Sequence, residues 1–466
     1  MSHPQPHIDH LLTDRYYLRD EEGNLLESDP MDIYGRVAFA IAQAEEDKEQ
    51  ERWMEKFFIL MQENKFLPNT PTLINAGKPK AGTFSGCFVL PVEDSMPGIF
   101  EAVKQSAIIM KAGGGVGYNF GRLREKGAIV KSTGHKASGP VSFMQAFDSM
   151  IDTVAQGGTR RGAAIAVLPV WHPDIEEFIS MKDAGGFSNF NISVGITDEF
   201  MEAVKEGKSW KLVSPTDGLT KSWLPARDLW HKIVEHAWKT GDPGLLFLDT
   251  INKAHPLDEE IEASNPCGEI PLRPYESCNL GSINLVEYLV NWHRELSQEG
   301  EWEFDWEELE KDIPTMVRFL DDVIDVNPFP LPEIDKASKE SRKIGLGIMG
   351  WASSLIKMQI PYDSQEALDL AEQLMEFIRV EANKSSIELA KEKGPYPLQD
   401  LCDINTIPRR NATLLCVAPT GTLSRIAGVS SGIEPIFSWN THHKLADREY
   451  DEIEPLYKEY LESENI

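Results

Sequence analysis

The sequence has few cysteines, no long hydrophobic run and comparatively little positive charge. Its five cysteines among 466 residues are too few and too scattered for a disulfide scaffold or a metal cluster. No apolar run approaches the roughly 18 residues that a membrane-spanning helix needs. The N-terminus also lacks the basic segment followed by an apolar stretch that is typical of a secretory signal. These absences predict a cytoplasmic protein that has no membrane partner.

Acidic residues outnumber basic residues by 75 to 46, which gives a net charge of −29. Such a charge argues against binding to DNA or RNA, because binding to the nucleic-acid backbone relies on clustered lysine and arginine. It is compatible with a small phosphate-bearing ligand held by backbone N–H groups. The apolar fraction of 41% is sufficient for a substantial core. The length allows two or three domains, or one large α/β barrel with an additional region.

Hydrophobic periodicity divides the chain into two parts. Apolar residues recur at helical spacing over residues 31–64, which predicts one or two helices. From about residue 97 onward, helical segments alternate with short apolar runs such as "AAIAVLPV" (163–170) and "ATLLCVAP" (412–419). This alternation predicts βα units and a largely parallel sheet. We place the boundary so that residues 1–85 form a mainly helical region and residues 86–466 form the α/β part.

Two of the five cysteines lie in the stretch "SNPCGEIPLRPYESCNLGS", residues 264–282. Cys267 stands between a proline and a glycine, a setting that suits a side chain held at the tip of a loop. Asn265 and Glu269 would then lie beside the thiol and offer a hydrogen-bond donor and a base. On spacing alone, an ordinary loop cysteine with solvent-facing neighbours is the simpler interpretation. A Cys–His–Asn hydrolase lacks a histidine near this stretch.

The other cysteines lie in apolar surroundings. Cys87, in "GTFSGCFVLPVEDS", follows Ser85 and Gly86, small residues that would let the backbone approach a ligand closely. A buried strand cysteine explains the same pattern. Cys402 and Cys416 are predicted to be ordinary thiols, because a buried free cysteine behaves as a small hydrophobic residue.

Three glycine-rich turns are candidates for ligand binding. "KAGGGVGYNFGRLREKG" (111–127) lacks the lysine of a P-loop, and Phe120 replaces the last glycine of a dinucleotide-binding motif. "AQGGTRRGAA" (155–164) places Arg160 and Arg161 in a flexible loop, which fits either a phosphate contact or a solvated turn. "VAPTGTLSRIAG" (417–428) is the better phosphate candidate. There a predicted strand turns into a helix, and the helix N-terminus favours an anion.

The motifs together resemble one protein family. In chain order they are "NTPTLINAG", "SGCFVLPVEDS", "GGGVGYNFGRLREKG", "GPVSFMQAFDSM", "QGGTRRGAA", "HPDIEEFI", "NPCGE", "SCNLGSINL" and "APTGTLSRIAGVSSGIEP". This set and order is similar to the large catalytic subunit of ribonucleotide reductases, and "GPVSFM" and "GGTRRGA" most resemble the adenosylcobalamin-dependent class. The resemblance covers about residues 60 to 440. It implies a ten-stranded α/β barrel of two antiparallel halves, each of five parallel strands, with a finger loop through its centre.

The resemblance implies catalytic roles for five residues. Cys267, at the tip of the finger, would become a thiyl radical that removes the 3′-hydrogen of a ribonucleotide. Glu269 would take the proton of the 3′-hydroxyl group, and Asn265 would hydrogen-bond the substrate. Cys87 and Cys278 would protonate the departing 2′-hydroxyl group and end as a disulfide, because a dithiol supplies the two electrons that the reaction needs. A buried finger would keep water away from the radical.

The resemblance also implies binding residues. The ribonucleotide would contact Thr72, Gly86, Cys87, Gly115, Asn265, Pro266, Cys267, Gly268 and Glu269, and its phosphates would contact Pro419, Thr420, Gly421, Thr422 and Leu423. A deoxynucleoside triphosphate effector, which sets the choice of substrate, would bind at Asp94, Ser95 and Arg124. The loop that relays this choice to the base would consist of Gly157, Gly158, Thr159, Arg160, Arg161, Gly162 and Ala163.

The cofactor that the resemblance implies is adenosylcobalamin, and no metal ligands are predicted in this chain. The implied partners are a thioredoxin-like reductant and a second copy of the chain in a homodimer. No N-terminal ATP-cone sequence is present, so control of overall activity by ATP and dATP is not expected.

The sequence stops at "EYLESENI", before the usual end of the family, and we expect an incomplete barrel. Two alternatives stay open. The chain is a nucleotide-binding part of a split reductase that a second chain completes, or its radical comes from a metal-containing small subunit.

Overall fold

The computed structural model describes residues 6–79, 82–155, 162–183, 185–291, 302–401, 407–444 and 449–463. Within these ranges the helices are α1 (Pro6–Arg15), α2 (Pro30–Ala42), α3 (Gln50–Gln62), α4 (Thr70–Asn75), α5 (Met96–Lys111), α6 (Pro140–Ala155), α7 (Ile175–Ser180), α8 (Asp198–Glu206), α9 (Ala226–Thr240), α10 (Leu248–Ala254), α11 (Trp306–Val326), α12 (Pro332–Ser341), α13 (Trp351–Lys357), α14 (Gln365–Lys393), α15 (Leu423–Ala427) and α16 (Pro455–Ser463). Two 3₁₀ helices span Leu285–Tyr288 and Pro397–Leu401.

The strands in the same ranges are β1 (Phe66–Pro68), β2 (Cys87–Pro91), β3 (Gly115–Asn119), β4 (Ala164–Pro169), β5 (Phe190–Ile196), β6 (Ser209–Val213), β7 (Thr220–Pro225), β8 (Gly244–Phe247), β9 (Ala263–Ser264), β10 (Pro271–Leu272), β11 (Ser277–Asn284), β12 (Leu289–Asn291), β13 (Trp302–Phe304), β14 (Ile344–Met349), β15 (Asn440–Lys444) and β16 (Glu449–Ile453). None of the helices in the described part of the chain has both the length and the apolar character needed to cross a membrane.

Eight strands form one mixed sheet that reverses direction at β11. Strands β2, β3, β4, β5 and β8 lie side by side and run parallel. Strand β11 pairs antiparallel with β2 and parallel with β14, so the second group of strands runs opposite to the first. The short strand β1 pairs antiparallel with the other end of β11. This reversal places Cys87 of β2 directly opposite Cys278 of β11.

The parallel strands other than β8 are largely buried because both of their faces are covered. Every residue of β4 and of β14 is buried. In β3, Val116 and Tyr118 point toward a hydrophobic core that also contains Ile109 of α5. Since successive side chains of a strand point to opposite faces, the intervening residues of β3 face the other side of the sheet. We call the space on that side of the sheet the half-barrel, and the candidate site lies there.

The N-terminal helices pack on the strands and helices of the reversed half. Asp29 begins α2 as its N-cap, and its carboxylate accepts a hydrogen bond of 2.8 Å from the backbone N–H of Met31. Phe57 of α3 packs edge-on against Phe319 of α11, with ring centroids 5.0 Å apart. These residues belong to one core that also includes Ile283 of β11.

The α/β fold with a helical N-terminal region is confirmed, and the predicted helix over residues 31–64 consists of α2 and α3. The predicted strand at 412–419 is wrong as a regular element, because only Leu415 forms a bridge, to Leu346 of β14. This segment pairs with β14 on one side, and no described strand pairs with its other edge. The division at residues 85 and 86 stays a prediction, and the N-terminal part contributes β1 to the main sheet.

Candidate active site

Residues 262–272 form a narrow hairpin that enters the half-barrel. Its two short strands pair through Ser264 opposite Pro271 and Ala263 opposite Leu272. The tip is closed by Asn265, whose side-chain Oδ1 accepts a hydrogen bond of 2.9 Å from the backbone N–H of Ile270. The backbone N–H of Gly268 donates to the carbonyl of Asn265 at 2.9 Å. Gly268 has a φ of +86°, a conformation that glycine adopts without the strain a Cβ would cause. The predicted finger loop is therefore a hairpin held by its own asparagine.

The inner face of β3 lacks side chains where the finger crosses it. A Cβ at Gly117 would lie 1.7 Å from the carbonyl oxygen of Ser264, and a Cβ at Gly115 would lie 2.8 Å from Cγ of Pro266. Further along the same face, Asn119 Nδ2 donates to the carbonyl of Glu262 at 2.6 Å. Gly115 and Gly117 of "GGGVGYNFG" thus serve close backbone packing against the finger.

A second strand anchors the tip. Asn191 of β5 donates its Nδ2 hydrogen to the carbonyl oxygen of Pro266 at 2.8 Å. Asn191 was not among the predicted residues. Its position within the strand "FNISVGI" gives no sequence signal beyond a polar residue in a mainly apolar run.

A cavity of about 350 Å³ opens beside the finger tip. Its lining contains these predicted residues: Gly86, Cys87, Gly115, Gly162, Ala163, Asn265, Pro266, Cys267, Glu269, Pro419, Thr420, Gly421, Thr422 and Leu423. Segments far apart in the sequence therefore meet at one site. Three of the residues predicted to be catalytic or to contact the substrate are absent from the lining, namely Thr72, Gly268 and Cys278.

Asn265, Glu269 and Cys87 form a compact polar group in this cavity. Asn265 Nδ2 lies 2.6 Å from Glu269 Oε2 and 3.2 Å from the sulfur of Cys87. The Cys87 sulfur lies 4.0 Å from Glu269 Oε1. One carboxylate, one amide and one thiol are thus within contact of each other.

Burial shapes the ionisation of this group. It raises the pKa of Glu269, and the hydrogen bond from Asn265 opposes that rise only in part. Burial raises the pKa of the Cys87 thiol well above its usual range, and the nearby Glu269 carboxylate raises it further. Glu269 is therefore a stronger base than an exposed glutamate, and Cys87 keeps its proton at neutral pH.

The cysteines differ in exposure. Cys267 is exposed at the finger tip, whereas Cys87, Cys278 and Cys416 are buried. Cys87 and Cys278 are direct partners across an antiparallel ladder, so their side chains share one face of the sheet. The Cys278 thiol points between strands, 3.6 Å from the carbonyl of Lys343. Cys416 is buried as predicted, in the hydrophobic cluster that contains Cys87 and Cys278. Cys402 lies outside the described residues.

Thr72 lies behind the cavity. Its hydroxyl donates to Asn69 Oδ1 at 2.7 Å and approaches the carbonyl of Phe84 at 3.1 Å. Asn69, which the sequence analysis missed, lines the cavity and also caps α4 by accepting from the Thr72 N–H at 3.0 Å. The signal that identifies Asn69 is its N-cap position before Thr-Pro-Thr.

The predicted phosphate turn borders the cavity at 419–423. Thr420 has a φ of +51°, which is uncommon for a residue with a Cβ. Its Oγ1 accepts a hydrogen bond of 2.8 Å from the backbone N–H of Gly432. The helix that follows, α15, has only five residues. The turn is thus fixed by Gly432 rather than by a long helix.

The predicted effector residues lie together, away from the cavity lining. Arg124 Nη2 lies 2.8 Å from Asp94 Oδ2, and the Arg124 backbone N–H also donates to Asp94 at 3.2 Å. Ser95 caps α5 by accepting from the N–H of Gly98 at 3.1 Å. Of the predicted relay loop, Gly162 and Ala163 line the cavity, whereas Gly157, Gly158, Thr159, Arg160 and Arg161 lie outside the described residues.

Family models match most of the chain. The model described as "Ribonucleotide reductase, barrel domain" matches residues 85–400 and 399–466, and "Ribonucleotide reductase, all-alpha domain" matches residues 9–81. A relative from Mycobacterium tuberculosis named vitamin B12-dependent ribonucleoside-diphosphate reductase is 46% identical over 455 residues, which cover 96% of this chain and 64% of the relative. A protein of the same name from Thermoplasma acidophilum is 48% identical over 87% of this chain and 53% of its own length.

A more distant relative carries a different name. The ribonucleoside-diphosphate reductase subunit alpha of Chlamydia muridarum is 31% identical over 91% of this chain and 47% of its own length. The chain therefore spans between about half and two thirds of the length of these curated relatives. Its motifs, its reversed sheet with a central finger and these matches agree, and the chain belongs to the ribonucleotide reductase family.

Proposed function

We propose that this chain reduces ribonucleotides to 2′-deoxyribonucleotides for DNA synthesis by a thiyl-radical mechanism. The observation that carries the proposal is the meeting of Asn265, Glu269 and Cys87 within one cavity that Cys267 also lines. The diphosphate is the proposed substrate form, because relatives at 46% and 48% identity are named ribonucleoside-diphosphate reductases.

Cys267 is the proposed radical carrier. It is exposed at the finger tip and lines the cavity, so it faces both the surroundings and a bound substrate. Its thiyl radical would take the 3′-hydrogen and later return a hydrogen atom to the same carbon. Glu269 would accept the proton of the 3′-hydroxyl group, a role that suits a carboxylate of raised pKa. Asn265 would hold the Glu269 carboxylate and hydrogen-bond the substrate.

Cys87 and Cys278 are the proposed reductant. Cys87 keeps its proton because its pKa is raised, so it can donate that proton to the departing 2′-hydroxyl group, which leaves as water. The two thiols together provide two electrons and two hydrogens, and they end as a disulfide. Their direct opposition across β2 and β11 supports this pairing. A thioredoxin-like dithiol would then reduce the disulfide by exchange.

Adenosylcobalamin is the proposed cofactor, because relatives at 46% and 48% identity are named vitamin B12-dependent. The exposed thiol of Cys267 fits a radical source that approaches from outside the cavity. The chemistry that this cofactor supplies when bound is a carbon-centred radical that removes the hydrogen atom of a thiol. The protein's own contribution is to hold Cys267 at the tip through Asn265 and Asn191.

The remaining binding roles follow the same proposal. Gly86, Gly115 and Pro266 would contact the ribonucleoside, and the turn at 419–423 would contact its phosphates, since all of them border the cavity. Thr72 would act through Asn69 rather than by direct contact. A deoxynucleoside triphosphate would bind beside Asp94, Ser95 and Arg124, at an interface between two copies of the chain.

Replacing Cys267 by serine tests the radical assignment. We expect Cys267→Ser to lose turnover entirely and to keep its affinity for the ribonucleoside diphosphate. The matched control is Cys416→Ala, which removes a buried thiol outside the cavity lining and should retain turnover within a few-fold. Turnover by Cys267→Ser would contradict the assignment.

An open sheet edge favours an alternative in which further polypeptide completes the site. Among the described strands, β8 pairs only with β5, which leaves its other edge without a described partner. In that case the chain binds nucleotides but turns over only with a second chain. Assays with adenosylcobalamin and a dithiol, with and without the product of a neighbouring gene, separate the two. A third assay that replaces adenosylcobalamin with a metal-containing small subunit tests the other radical source.

A further inference from the structure

The segment that follows β3 connects the predicted effector residues with the finger. At one end Arg124 pairs with Asp94, next to the start of α5. Two residues earlier in the chain, Arg122 has acidic partners on both sides of the segment. The same few residues therefore touch the effector region and the loop that carries Cys267.

Arg122 forms a bridge between these two regions. Its Nη1 lies 2.5 Å from Oε1 of Glu93, the residue that precedes Asp94. Its Nη2 lies 2.7 Å from Oε1 of Glu262, and its Nε lies 3.3 Å from the other oxygen of that carboxylate. The contact with Glu262 uses two nitrogens and two oxygens, a geometry that fixes orientation as well as distance.

Glu262 begins the finger. It directly precedes β9, and its backbone carbonyl is held by Asn119 at 2.6 Å. The finger then runs to Cys267 through Ser264, whose carbonyl packs on Gly117 without room for a side chain. A change at the Glu262 side chain therefore acts on a short hairpin whose remaining contacts are tight.

We propose that Arg122 is a positioning residue that couples effector binding to the finger loop, through its simultaneous ion pairs with Glu93 and Glu262. The anionic phosphates of an effector beside Arg124 would repel Glu93 and weaken its pair with Arg122. The two-point pair with Glu262 would then be the main anchor of the guanidinium and would hold the base of the finger more firmly. This proposal rests on the proposed function, because it assumes that the effector binds at Asp94, Ser95 and Arg124.

The exposure of the bridge suits such a shift in the balance of the two ion pairs. The Arg122 side chain is 43% exposed, and those of Glu93 and Glu262 are 59% and 22% exposed. Ion pairs at this exposure are weak, so a nearby anion is able to redistribute them. Coupling between two sites requires such a difference in interactions between the two states.

The test is the alkylation rate of Cys267, which is exposed at the finger tip. Iodoacetamide labelling of the whole chain is followed by mass spectrometry, with and without saturating dATP, dGTP or dTTP. In the wild type, we expect at least one of these nucleotides to slow labelling by threefold or more. In Glu262→Gln the slowing should fall below half of the wild-type factor, while the nucleotide dissociation constant changes by less than threefold. Arg122→Lys, which keeps the charge but loses the two-point contact, should give an intermediate response.

Lys126 provides the matched control, because it lies in the same segment and pairs with Glu177 of α7, not with the finger. Lys126→Gln should respond like the wild type. The proposal is overturned if the wild type shows no response, if Glu262→Gln keeps the full response or loses nucleotide binding, or if Lys126→Gln loses the response. Direct shielding of Cys267 by a nucleotide in the cavity would persist in Glu262→Gln and would count against the proposal. The readout needs no turnover, so failure of the proposed reductase activity is distinguishable from failure of this coupling.

Discussion

Glu269 and Glu276 are both carboxyl groups of the segment that includes the finger tip and the start of β11, yet their surroundings are opposite. Glu276 is fully buried between two cations, with Lys343 Nζ at 2.6 Å and Arg273 Nε at 2.8 Å. Glu269 has the neutral amide of Asn265 at 2.6 Å and the thiol of Cys87 at 4.0 Å. As a result the pKa of Glu276 is lowered and the pKa of Glu269 is raised.

The contrast distinguishes buried carboxylates that stabilise the fold from buried carboxyl groups that are able to exchange a proton. A buried carboxylate held between cations keeps one ionisation state and fixes the chain around it. A buried carboxyl with neutral partners is able to gain or lose a proton during a reaction. Asp321 repeats the first pattern, since it is buried with Arg342 at 2.8 Å and Arg410 at 3.0 Å. Glu269, which lines the cavity, therefore has the surroundings of a carboxyl group that is able to exchange a proton.

The largest expected effect is on turnover. Glu269→Gln keeps the shape of the side chain but removes the base, so the rate should fall by about 10²- to 10⁴-fold. Stability at neutral pH should not fall, because the variant removes a buried charge that lacks a cationic partner. Steady-state kinetics and thermal melting of the same preparation check both parts. If Glu269→Gln loses stability but keeps its rate, Glu269 stabilises the fold and is not the base of the reaction.

The next effect is on stability. Glu276→Gln leaves the buried Lys343 without its anionic partner, and such a loss costs about 3–5 kcal/mol. Urea unfolding measures this loss. Glu259, which pairs with the other side of Arg273 but is 59% exposed, supplies the control. Glu259→Gln should cost less than about 1 kcal/mol. Equal costs for the two variants would show that burial does not decide the contribution.

A third variant tests whether turnover depends on the position of the finger that carries Glu269. Gly117→Ala introduces a Cβ that would lie 1.7 Å from the carbonyl of Ser264, so the finger must move. Overpacking of this kind costs about 1–3 kcal/mol, and we expect turnover to fall with it. Gly35→Ala, where nothing lies within 4 Å of the added Cβ, should leave turnover unchanged. Full activity in Gly117→Ala would show that turnover does not depend on the packing of the finger against β3.

The smallest effect is a difference in pH dependence, and its sign is opposite for the two glutamates. Glu269 has a pKa raised above its usual 4.5, so its favourable contribution exists below that pH and is lost as the pH rises through the folded-state pKa. Glu276 has a pKa lowered from 4.5, so its contribution exists above that value and is lost on acidification. Relative to the wild type, Glu269→Gln should gain stability as the pH rises, and the deficit of Glu276→Gln should shrink as the pH falls. Unfolding curves over a pH series measure both trends, and parallel trends would contradict the comparison.

The sequence, through its family resemblance, predicted the fold class, and many of the candidate site residues that it named line one cavity, because those residues lie in short motifs that the family shares. Asn265, Cys267 and Glu269 are neighbours in "NPCGE", and the turn at 419–423 follows a recognisable pattern. The family resemblance also linked Cys87 with Cys278, which the structure places opposite each other.

The remaining features depend on contacts between distant segments. The pairing of Glu276 with Lys343 joins the residues that precede β11 and β14, which no local pattern connects, and Asn191 reaches the finger from β5. The bridge from Arg122 to Glu262 has the same origin. The segment 412–419 was predicted as a strand from its apolar residues, but its described bridge to β14 is the isolated pair of Leu415 with Leu346, so it lacks the run of paired residues that makes a regular strand. Local sequence specifies an element's preference, whereas its neighbours decide whether the element forms.

The most direct test of the proposed reaction is the stoichiometry of the cysteine pair in a single turnover. The protein is reduced, freed of external thiol and mixed with a ribonucleoside diphosphate and adenosylcobalamin, and deoxyribonucleotide and disulfide-linked peptides are then quantified by mass spectrometry. We predict one Cys87–Cys278 disulfide for each deoxyribonucleotide formed, with the Cys267 thiol unchanged. Deoxyribonucleotide formed without loss of the Cys87 and Cys278 thiols, or accompanied by a disulfide that includes Cys267, would contradict the account.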